Sequence, residues 1–481
     1  MKRVTPFFFL FLLLFFFTGC KEKVKERAKP NIIFIMADDL GYGELGCYGQ
    51  KIIRTPNIDR MAEEGIKFTQ FYSGSPVCAP SRSVLMTGMH TGHTYVRDNY
   101  EVKGGDGFLG QMPLPDSIVT VAELLKKAGY ATAAIGKWGL GRMGSSGDPN
   151  RQGFDLFFGY NCQRHAHNHY PRFLIRNQDT VRLEGNTRSL TGKQYAQDLF
   201  IREAESFIRQ NHDKPFFLYL PFIIPHLSIQ VPDSSLEKYK GQIPETPYEH
   251  HHYLQHPYPH AGYAAMITHM DEGIGQLLHL VDSLGLDHNT VIFFTSDNGP
   301  TYNRLGGSDS DFFHSSGPFR GRKGSVYEGG IRVPLVVRWP GKIIARMVSD
   351  HIGAFQDVMP TLLEITGNKN RVPPDIDGIS FTPTLLGKGE QQEHPYLYME
   401  FSSYGGQQMV RMDNWKGIRR NIFKDSLQIH LYNLAEDPGE TRDVASDHPD
   451  IVKKMKKIML KEHITSSAFP FLQLDSLARL K

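Results

Sequence analysis

Short apolar runs recur along the chain and alternate with longer stretches of amphipathic pattern. Four of these runs are rich in β-branched or aromatic residues: residues 32–36, 131–135, 216–220 and 291–295. Such runs are typical of strands buried on both faces of a parallel sheet. Between them, residues 117–128, 194–210 and 263–284 carry apolar positions at helical spacing. The pattern predicts an α/β fold in which helices flank a large, mostly parallel central sheet.

The pattern changes after residue 387. Four shorter apolar runs follow, at residues 396–401, 408–412, 415–419 and 427–432. A helical pattern then covers residues 449–462. We therefore expect a main α/β domain over residues 31–387 and, over residues 388–481, an α+β subdomain made of a small antiparallel sheet with a helix. A chain of 481 residues has the length for such a division.

The N-terminus has the pattern of an export signal. Lys2 and Arg3 precede an apolar run over residues 7–17 that is too short to span a bilayer comfortably. Thr18-Gly19-Cys20 resembles a bacterial lipoprotein cleavage site. We expect residues 1–20 to be a lipoprotein-type signal peptide, Cys20 to carry the lipid anchor and residues 21–30 to be a tether. The protein would then be secreted across the inner membrane and sit in the periplasm or on the outer-membrane surface; an ordinary secretory signal is the alternative.

Charge and cysteine content exclude some classes of protein. The 54 basic and 51 acidic residues give a net charge of +3, which is too balanced for a protein that binds nucleic acid. Four cysteines are too few for a disulfide framework. Whether Cys47 and Cys162 pair is open, and two separate buried thiols are the favoured interpretation.

Oxygen ligands follow two of the predicted strands. Asp38 and Asp39 come directly after the first strand, and Asp297 and Asn298 come directly after the last. The carboxyl ends of parallel strands share one edge of the sheet, so these four side chains are expected to converge there. An aspartate pair alone is more often a solvated turn. Three carboxylates and an amide together favour Ca²⁺ or Mg²⁺.

The stretch Cys78-Ala79-Pro80-Ser81-Arg82 carries the strongest motif. It resembles the signature at which type I sulfatases, members of the alkaline phosphatase superfamily, have a cysteine converted to formylglycine by a maturation enzyme. Alone, the motif also fits a packed thiol before a helix over residues 81–86. The remaining motifs of that family follow in the same order along residues 31–340, which strengthens the resemblance.

The resemblance implies a site and a mechanism. The positions that match the family's Ca²⁺ site are Asp38, Asp39, Cys78, Asp297 and Asn298, and those that match its catalytic groups are Cys78, Arg82, Lys137, His226 and Lys323. In the family, one hydroxyl of hydrated formylglycine attacks sulfur while the lysines contact the sulfate group. The arginine holds the nucleophile, and the histidine protonates the leaving alcohol.

One position departs from the family pattern. Many sulfatases read Gly-Lys-Trp-His where this chain has Gly139 as the fourth residue, so the base that releases sulfate is uncertain. His165, His167 and His169 lie in a predicted loop over residues 142–171, and an extended segment would aim all three at one face. One of them could substitute for the missing base, and we favour a substrate-binding role over metal binding or loop composition.

Two other segments carry weaker predictions. Arg97 is a substrate-binding candidate because it lies close in sequence to Cys78. The histidines of the second predicted loop, residues 232–259, match no part of the family pattern and are interpreted as loop composition.

The sequence thus predicts a formylglycine-bearing, Ca²⁺-dependent sulfatase. Its expected substrate is a sulfated hexose or N-acetylhexosamine of a glycan, and its expected partners are that carbohydrate, the maturation enzyme and a membrane. A phosphoester hydrolase of the same superfamily and an inactive sulfated-glycan-binding protein are the alternatives.

Overall fold

The computed structural model describes residues 1–2, 29–103, 109–249, 252–424 and 426–478. The predictions for the signal peptide, for Cys20 and for most of the tether lie outside these residues. None of the helices in the described part of the chain combines the length and the apolar character required to cross a bilayer.

The strands form a large sheet, a four-stranded sheet and a hairpin. In chain order they are β1 (Asn31–Asp38), β2 (Ile66–Tyr72), β3 (Glu101–Lys103), β4 (Leu109–Gln111), β5 (Ala131–Lys137), β6 (Leu156–Tyr160), β7 (Phe173–Arg176), β8 (Asp179–Arg182), β9 (Phe216–Pro225), β10 (Thr290–Ser296), β11 (Arg332–Arg338), β12 (Met347–Ser349), β13 (Gly353–Ala354), β14 (Leu397–Phe401), β15 (Gln407–Met412), β16 (Trp415–Arg420) and β17 (His430–Asn433).

Eleven α-helices lie in the described residues. They are α1 (Pro56–Glu63), α2 (Cys78–Thr87), α3 (Val121–Lys127), α4 (Ala196–Asn211), α5 (Asp233–Leu236), α6 (Pro259–Ser283), α7 (Glu328–Ile331), α8 (Val358–Ile365), α9 (Thr382–Leu386), α10 (Pro449–Lys461) and α11 (Leu472–Ala478).

The large sheet has the order β12-β2-β11-β10-β1-β9-β5-β6-β7-β8, with β13 also paired to β2. Its five central strands, β10, β1, β9, β5 and β6, run parallel. Antiparallel pairs join β11 and β7 to this centre. The predicted α/β class is confirmed, because the strands that carry the longest apolar runs form the parallel centre and lie buried between layers of helices.

The sheet separates two hydrophobic cores. Along β1 the side chains alternate, so that Ile33 and Ile35 pack on one face while Ile32, Phe34 and Met36 pack on the other. Helices α1, α4 and α6 cover the first face, and α2, α3 and α8 cover the second. The carboxyl ends of the central strands are thereby held between two packed layers.

One predicted loop is partly a strand. Residues 142–171 contain β6, which pairs with β5 and extends the parallel centre. Its sequence, Leu-Phe-Phe-Gly-Tyr, is apolar enough for a buried strand. The Gly, Pro and His residues around it nevertheless give the whole segment the composition of a loop. Cys47 and Cys162 are free thiols, as expected, although Cys47 is only half-buried.

The four-stranded antiparallel sheet β14-β15-β16-β17 follows near the C-terminus, as predicted. Helix α10 packs on one face of this sheet through Met455 and Met459. The other face packs on the main sheet through Met409 and Ile418, which share a core with Tyr72. This second sheet therefore stands directly against the loops of the large one.

A buried charge cluster also joins the two sheets. Lys416 in β16 lies 2.7 Å from Glu328 in α7 and 3.0 Å from Glu440, and all three side chains are fully buried. Glu440 in turn accepts the backbone N–H of Glu328 at 2.6 Å. Removing one member of such a cluster leaves uncompensated buried charge.

We expect Lys416→Met to lower the free energy of unfolding by about 3–5 kcal/mol, because it leaves the buried carboxylate of Glu440 without its lysine and Glu328 with Arg332 as its remaining ion-pair partner. Urea denaturation measures this change. The matched control is Lys240→Met, which removes an exposed lysine paired to Glu237 and should leave stability nearly unchanged. Equal effects of the two substitutions would contradict the role assigned to the cluster.

Candidate active site

The carboxyl ends of the central strands carry most of the predicted site residues. Asp38 ends β1, Lys137 ends β5, His226 follows β9 and Asp297 follows β10. Asp39 adopts a left-handed φ of 66°, which is uncommon for a residue with a side chain. This conformation interrupts the alternation of the strand, and both adjacent carboxylates belong to the same cluster of side chains.

Cys78 occupies the first turn of α2 rather than the loop before it. The sequence predicted a helix over residues 81–86, whereas the helix begins at Cys78, and all ten of its residues are buried. A helix N-terminus directs free backbone N–H groups toward an anion. The residue that matches the family nucleophile is therefore fixed at a favourable place for an anionic substrate.

Four groups of three chemical kinds meet the two adjacent carboxylates. Cys78 Sγ lies 3.3 Å from Asp38 Oδ1, and Lys137 Nζ lies 2.6 Å from Asp38 Oδ2. Lys323 Nζ lies 2.8 Å from Asp39 Oδ2. His226 Nε2 lies 3.6 Å from the same Asp39 oxygen. A thiol, two ammonium groups and an imidazole thus share one small region.

Arg82 is held in place by its partners. Its guanidinium donates to Asp297 Oδ2 through Nε at 3.1 Å and through Nη2 at 2.6 Å, and it also donates to the carbonyl oxygen of Lys137. Its side chain is fully buried. Two bonds to one carboxylate oxygen fix the guanidinium plane, which stands one turn along α2 from Cys78.

Asn298 supplies the observation that tests the metal prediction. Its Nδ2 donates to Asp39 Oδ1 at 2.7 Å and to the carbonyl of Gly299 at 2.9 Å. Its Oδ1 is buried and has no hydrogen-bond partner among the described residues. A buried carbonyl without a donor is costly unless something positive binds it. An unpaired amide oxygen beside three carboxylates therefore fits a hard cation such as Ca²⁺.

Burial and neighbouring charges shift the pKa values of several groups in this region. Burial alone raises the pKa of Asp38, but the surrounding cations, first of all Lys137, more than offset burial and hold this pKa well below its usual range. Burial and then the charge of Asp38 raise the pKa of Asp297. Burial and Asp38 also raise the pKa of the Cys78 thiol. Unmodified Cys78 is consequently a neutral thiol at pH 7 and a weak nucleophile.

The three loop histidines diverge, contrary to the expected extended segment. Residues 165–167 form a 3₁₀ turn, in which successive side chains point in different directions. His165 faces the carbonyl of Phe173 at 3.0 Å, and His169 is buried against the carbonyl of His226 at 2.9 Å. His167 stacks on His226 with ring centroids 4.8 Å apart. Of the three, His167 is the one placed against the ring of His226.

The side chain of Gln163 fills the space beside Gly139. The φ of Gly139 is +83°, and a Cβ built there would lie 2.5 Å from Gln163 Nε2. Both polar atoms of the Gln163 amide are buried without a partner among the described residues. The space beside position 139, where the resembled family pattern has histidine, is therefore filled by an amide that sequence reasoning did not identify.

The hydrogen bonds of Arg97 go to residues outside the group around Cys78. Its Nη1 forms an ion pair with Glu400 of β14 at 3.0 Å and donates to the carbonyl of Ile464 at 2.6 Å. These partners come from the C-terminal part of the chain, which nearness in sequence to Cys78 does not reveal. Its substrate-binding role stays a prediction without support from these contacts.

Two tyrosines near the site were not predicted. Tyr253, from the predicted loop whose histidines were interpreted as composition, packs its ring 5.7 Å from that of His167. Tyr302 lies two residues after Pro300, whose carbonyl accepts the backbone N–H of Lys323 at 2.9 Å. Tyr302 could have been identified from the sequence, because it follows the predicted metal ligand Asn298 by four residues. No comparable feature of the sequence indicates Tyr253.

Comparison with known proteins now decides the family. A family model described as "Sulfatase" matches residues 30–368, which is more than half of the chain. The chain belongs to the sulfatase family. A second model, described as "N-sulphoglucosamine sulphohydrolase, C-terminal", matches residues 320–465. The protein is accordingly a sulfuric ester hydrolase of the alkaline phosphatase superfamily.

Relatives of this sulfatase span most of its length. It is 30% identical to N-acetylgalactosamine-6-sulfatase of Rattus norvegicus, over 89% of this chain and 84% of that protein. It is 32% identical to steryl-sulfatase of Homo sapiens, over 82% of this chain and 76% of that protein.

Solved sulfatase structures share the fold. The crystal structure of Ps i-CgsB superposes with a TM-score of 0.76 at 28% identity, covering 94% of this chain and 97% of that one. PsFucS1 sulfatase from Pseudoalteromonas sp. gives a TM-score of 0.70 at 26% identity, covering 90% and 91%. The likeness to Ps i-CgsB includes the C-terminal sheet as well as the large one.

We expect Ca²⁺ to raise the melting temperature of chelator-treated protein, and Asn298→Ala to abolish most of this shift. At 100-fold excess over Kd, a bound ligand stabilises a protein by about 2.7 kcal/mol. Differential scanning fluorimetry with a Ca²⁺ titration measures the shift without any need for activity.

The matched control is Asn186→Ala, which removes a buried asparagine whose amide atoms all have partners. It should lower the melting temperature and keep the Ca²⁺ shift. An Asn298→Ala protein that responds to Ca²⁺ like the wild type would show that the unpaired oxygen is not a ligand.

Proposed function

We propose that this sulfatase hydrolyses a sulfate ester on a sulfated glycan, using formylglycine made from Cys78 together with Ca²⁺. The observation that carries the proposal is the convergence of Cys78, Lys137, Lys323 and His226 on the adjacent carboxylates Asp38 and Asp39. Nucleophile, sulfate-binding cations and proton donor are the groups that such a hydrolysis requires.

The residues of the site fit both Ca²⁺ and formylglycine. Asp38, Asp39, Asp297 and Asn298 would hold Ca²⁺, and the unpaired Oδ1 of Asn298 supports this assignment. When bound, Ca²⁺ supplies positive charge and formylglycine supplies a hydrated oxygen nucleophile that a neutral buried thiol lacks.

Formal charge explains why the site would attract an anionic ester. The three carboxylates Asp38, Asp39 and Asp297 are balanced by the three cations Arg82, Lys137 and Lys323. A bound divalent cation would leave the site with net positive charge. A sulfate ester carries one negative charge, so its burial in this site is electrostatically favourable.

The chain's cations have distinct positions for this task. Arg82 is bonded to Asp297 and would orient residue 78, while both lysines bond to the carboxylates beside it. Lysine carries a point charge on a flexible stem, so Lys137 and Lys323 would turn from carboxylate to sulfate oxygens when an ester binds. The two lysines would thus hold the sulfate group on either side.

His226 is suited to donate a proton to the leaving alcohol. Its Nδ1 bonds the carbonyl of Leu227 at 2.7 Å, which fixes the ring and leaves Nε2 facing the site. Burial, and then the charge of Lys323, lower the pKa of His226. A bound sulfate anion acts in the opposite direction and favours the protonated ring.

The substrate class rests on the relatives. N-acetylgalactosamine-6-sulfatase is named for a sulfated amino sugar, and Ps i-CgsB has been crystallised with k-i-k-neocarrahexaose at 28% identity to this chain. We therefore propose a sulfated hexose or N-acetylhexosamine as the substrate.

The pattern that ends at Cys20 supports export and lipid anchoring, and the motif from Cys78 to Arg82 supports processing by a maturation enzyme.

The direct test is sulfate release from a panel of sulfated hexoses and hexosamines, with phosphodiesters beside them, with and without Ca²⁺. Release from a sulfated sugar, lost with chelator and in Cys78→Ala, is the expected result. Cleavage of the phosphodiesters to an alcohol and a phosphomonoester, with no sulfate release, would favour the phosphoester alternative. Binding of sulfated sugar without turnover by formylglycine-bearing protein would favour the non-enzymatic one.

We expect His226→Ala to lower kcat on a sugar sulfate about 10²- to 10⁴-fold, because a sugar alkoxide leaves poorly without a proton. Hydrolysis of 4-nitrophenyl sulfate should fall much less, since its phenolate leaves unprotonated. Steady-state kinetics on both substrates measure the difference. His212→Ala, which changes an exposed histidine, is the control. Equal losses on both substrates would contradict the assigned role.

A further inference from the structure

The turn between β14 and β15 presents an exposed aromatic ring. Tyr404 is 59% exposed, which makes it the most exposed aromatic residue in the described part of the chain. Its φ is +52°, a left-handed conformation that costs a residue with a side chain about 1–3 kcal/mol. An exposed tyrosine ring offers a ligand an apolar face and a polar tip.

Two other rings hold Tyr404 in position. Phe401 stacks with it at a centroid distance of 5.6 Å and an interplanar angle of 27°. Tyr302 stacks with it at 6.1 Å and the same angle, and the two tyrosine hydroxyls contact each other. The face of Tyr404 is therefore pre-oriented, which lowers the entropy cost of binding a ligand.

This group of rings stands beside the residue that binds Asp39. A Cβ built on Gly324 would lie 3.2 Å from the Tyr302 hydroxyl and 3.4 Å from Tyr404 Cε1, so the rings cover the backbone directly after Lys323. Glycine at 324 is what permits this close approach. The ring of Tyr404 thus packs against residue 324, which directly follows the lysine that contacts Asp39.

The turn is also fixed to the loop that carries Lys323. Gln407, the first residue of β15, donates from Nε2 to the carbonyl of Gly324 at 2.7 Å, and its Oε1 accepts the backbone N–H of Val326 at 3.2 Å. Gln407 is buried. The C-terminal sheet therefore holds Tyr404 at a set distance from the site.

We propose that Tyr404, supported by Tyr302, is a platform for the sugar ring that carries the sulfate group. A pyranose presents an apolar C–H face and a polar rim, and an exposed tyrosine matches this with a flat apolar face and a polar tip. Stacking on Tyr404 would orient the sugar while Lys323 holds its sulfate. This inference rests on the proposed function and names the C-terminal sheet as part of its substrate site.

The test compares Tyr404→Ala, Tyr404→Phe and wild type on the sulfated sugar that the panel identifies. Tyr404→Ala should raise KM about 10-fold, the loss expected when an aromatic contact worth about 1.4 kcal/mol is removed. Tyr404→Phe keeps the ring and should stay within about 3-fold of wild type. The inhibition constant of inorganic sulfate, which fills only the sulfate pocket, should be unchanged in all three proteins.

Phe423→Ala removes another exposed aromatic ring of the C-terminal part and serves as the matched control, with KM expected to match wild type. A Tyr404→Ala enzyme with wild-type KM would overturn the platform. So would an equal rise in the sulfate inhibition constant, which indicates a general distortion, or an equal loss in Tyr404→Phe, which points to the hydroxyl. Absence of sulfate release in wild type would instead refute the proposed function.

Discussion

The burial of like charges at one sheet edge is the constraint on which the rest of this molecule depends. Asp38, Asp39 and Asp297 are almost inaccessible to water, and repulsion among them is tolerable only if cations surround them. Arg82 and the two lysines supply that charge from α2, β5 and the loop before α7. The packed layers on both faces of the sheet then keep these groups from separating. The fold therefore holds the charged groups of the site in a preorganised arrangement.

Much of this arrangement was predictable because it follows chain-local rules. Apolar runs identified four of the five central strands, and polar residues directly after those runs identified Asp38 and Asp297 at a shared edge. The motif at Cys78 located the candidate nucleophile, although its helix begins three residues earlier than expected. Strand β6 was missed because glycines, prolines and histidines surround a run of only five residues.

What could not be predicted depends on contacts between distant segments. The space beside Gly139 is filled by Gln163 from another loop, and nothing near position 139 indicates this. Arg97 pairs with Glu400 from β14 rather than facing Cys78. The rings around Tyr404 meet Gly324 only because the second sheet packs against the first. Sequence spacing describes single elements well, whereas these features arise from packing between elements.

The most direct test of the account is to relate catalytic rate to the modification of Cys78. Preparations made with and without a maturation enzyme would be analysed by peptide mass spectrometry for the fraction of formylglycine at position 78, and each would be assayed for sulfate release. The account predicts a rate proportional to that fraction and close to zero for unmodified protein. Equal rates from modified and unmodified preparations would contradict it, because the buried neutral thiol of Cys78 would then be sufficient.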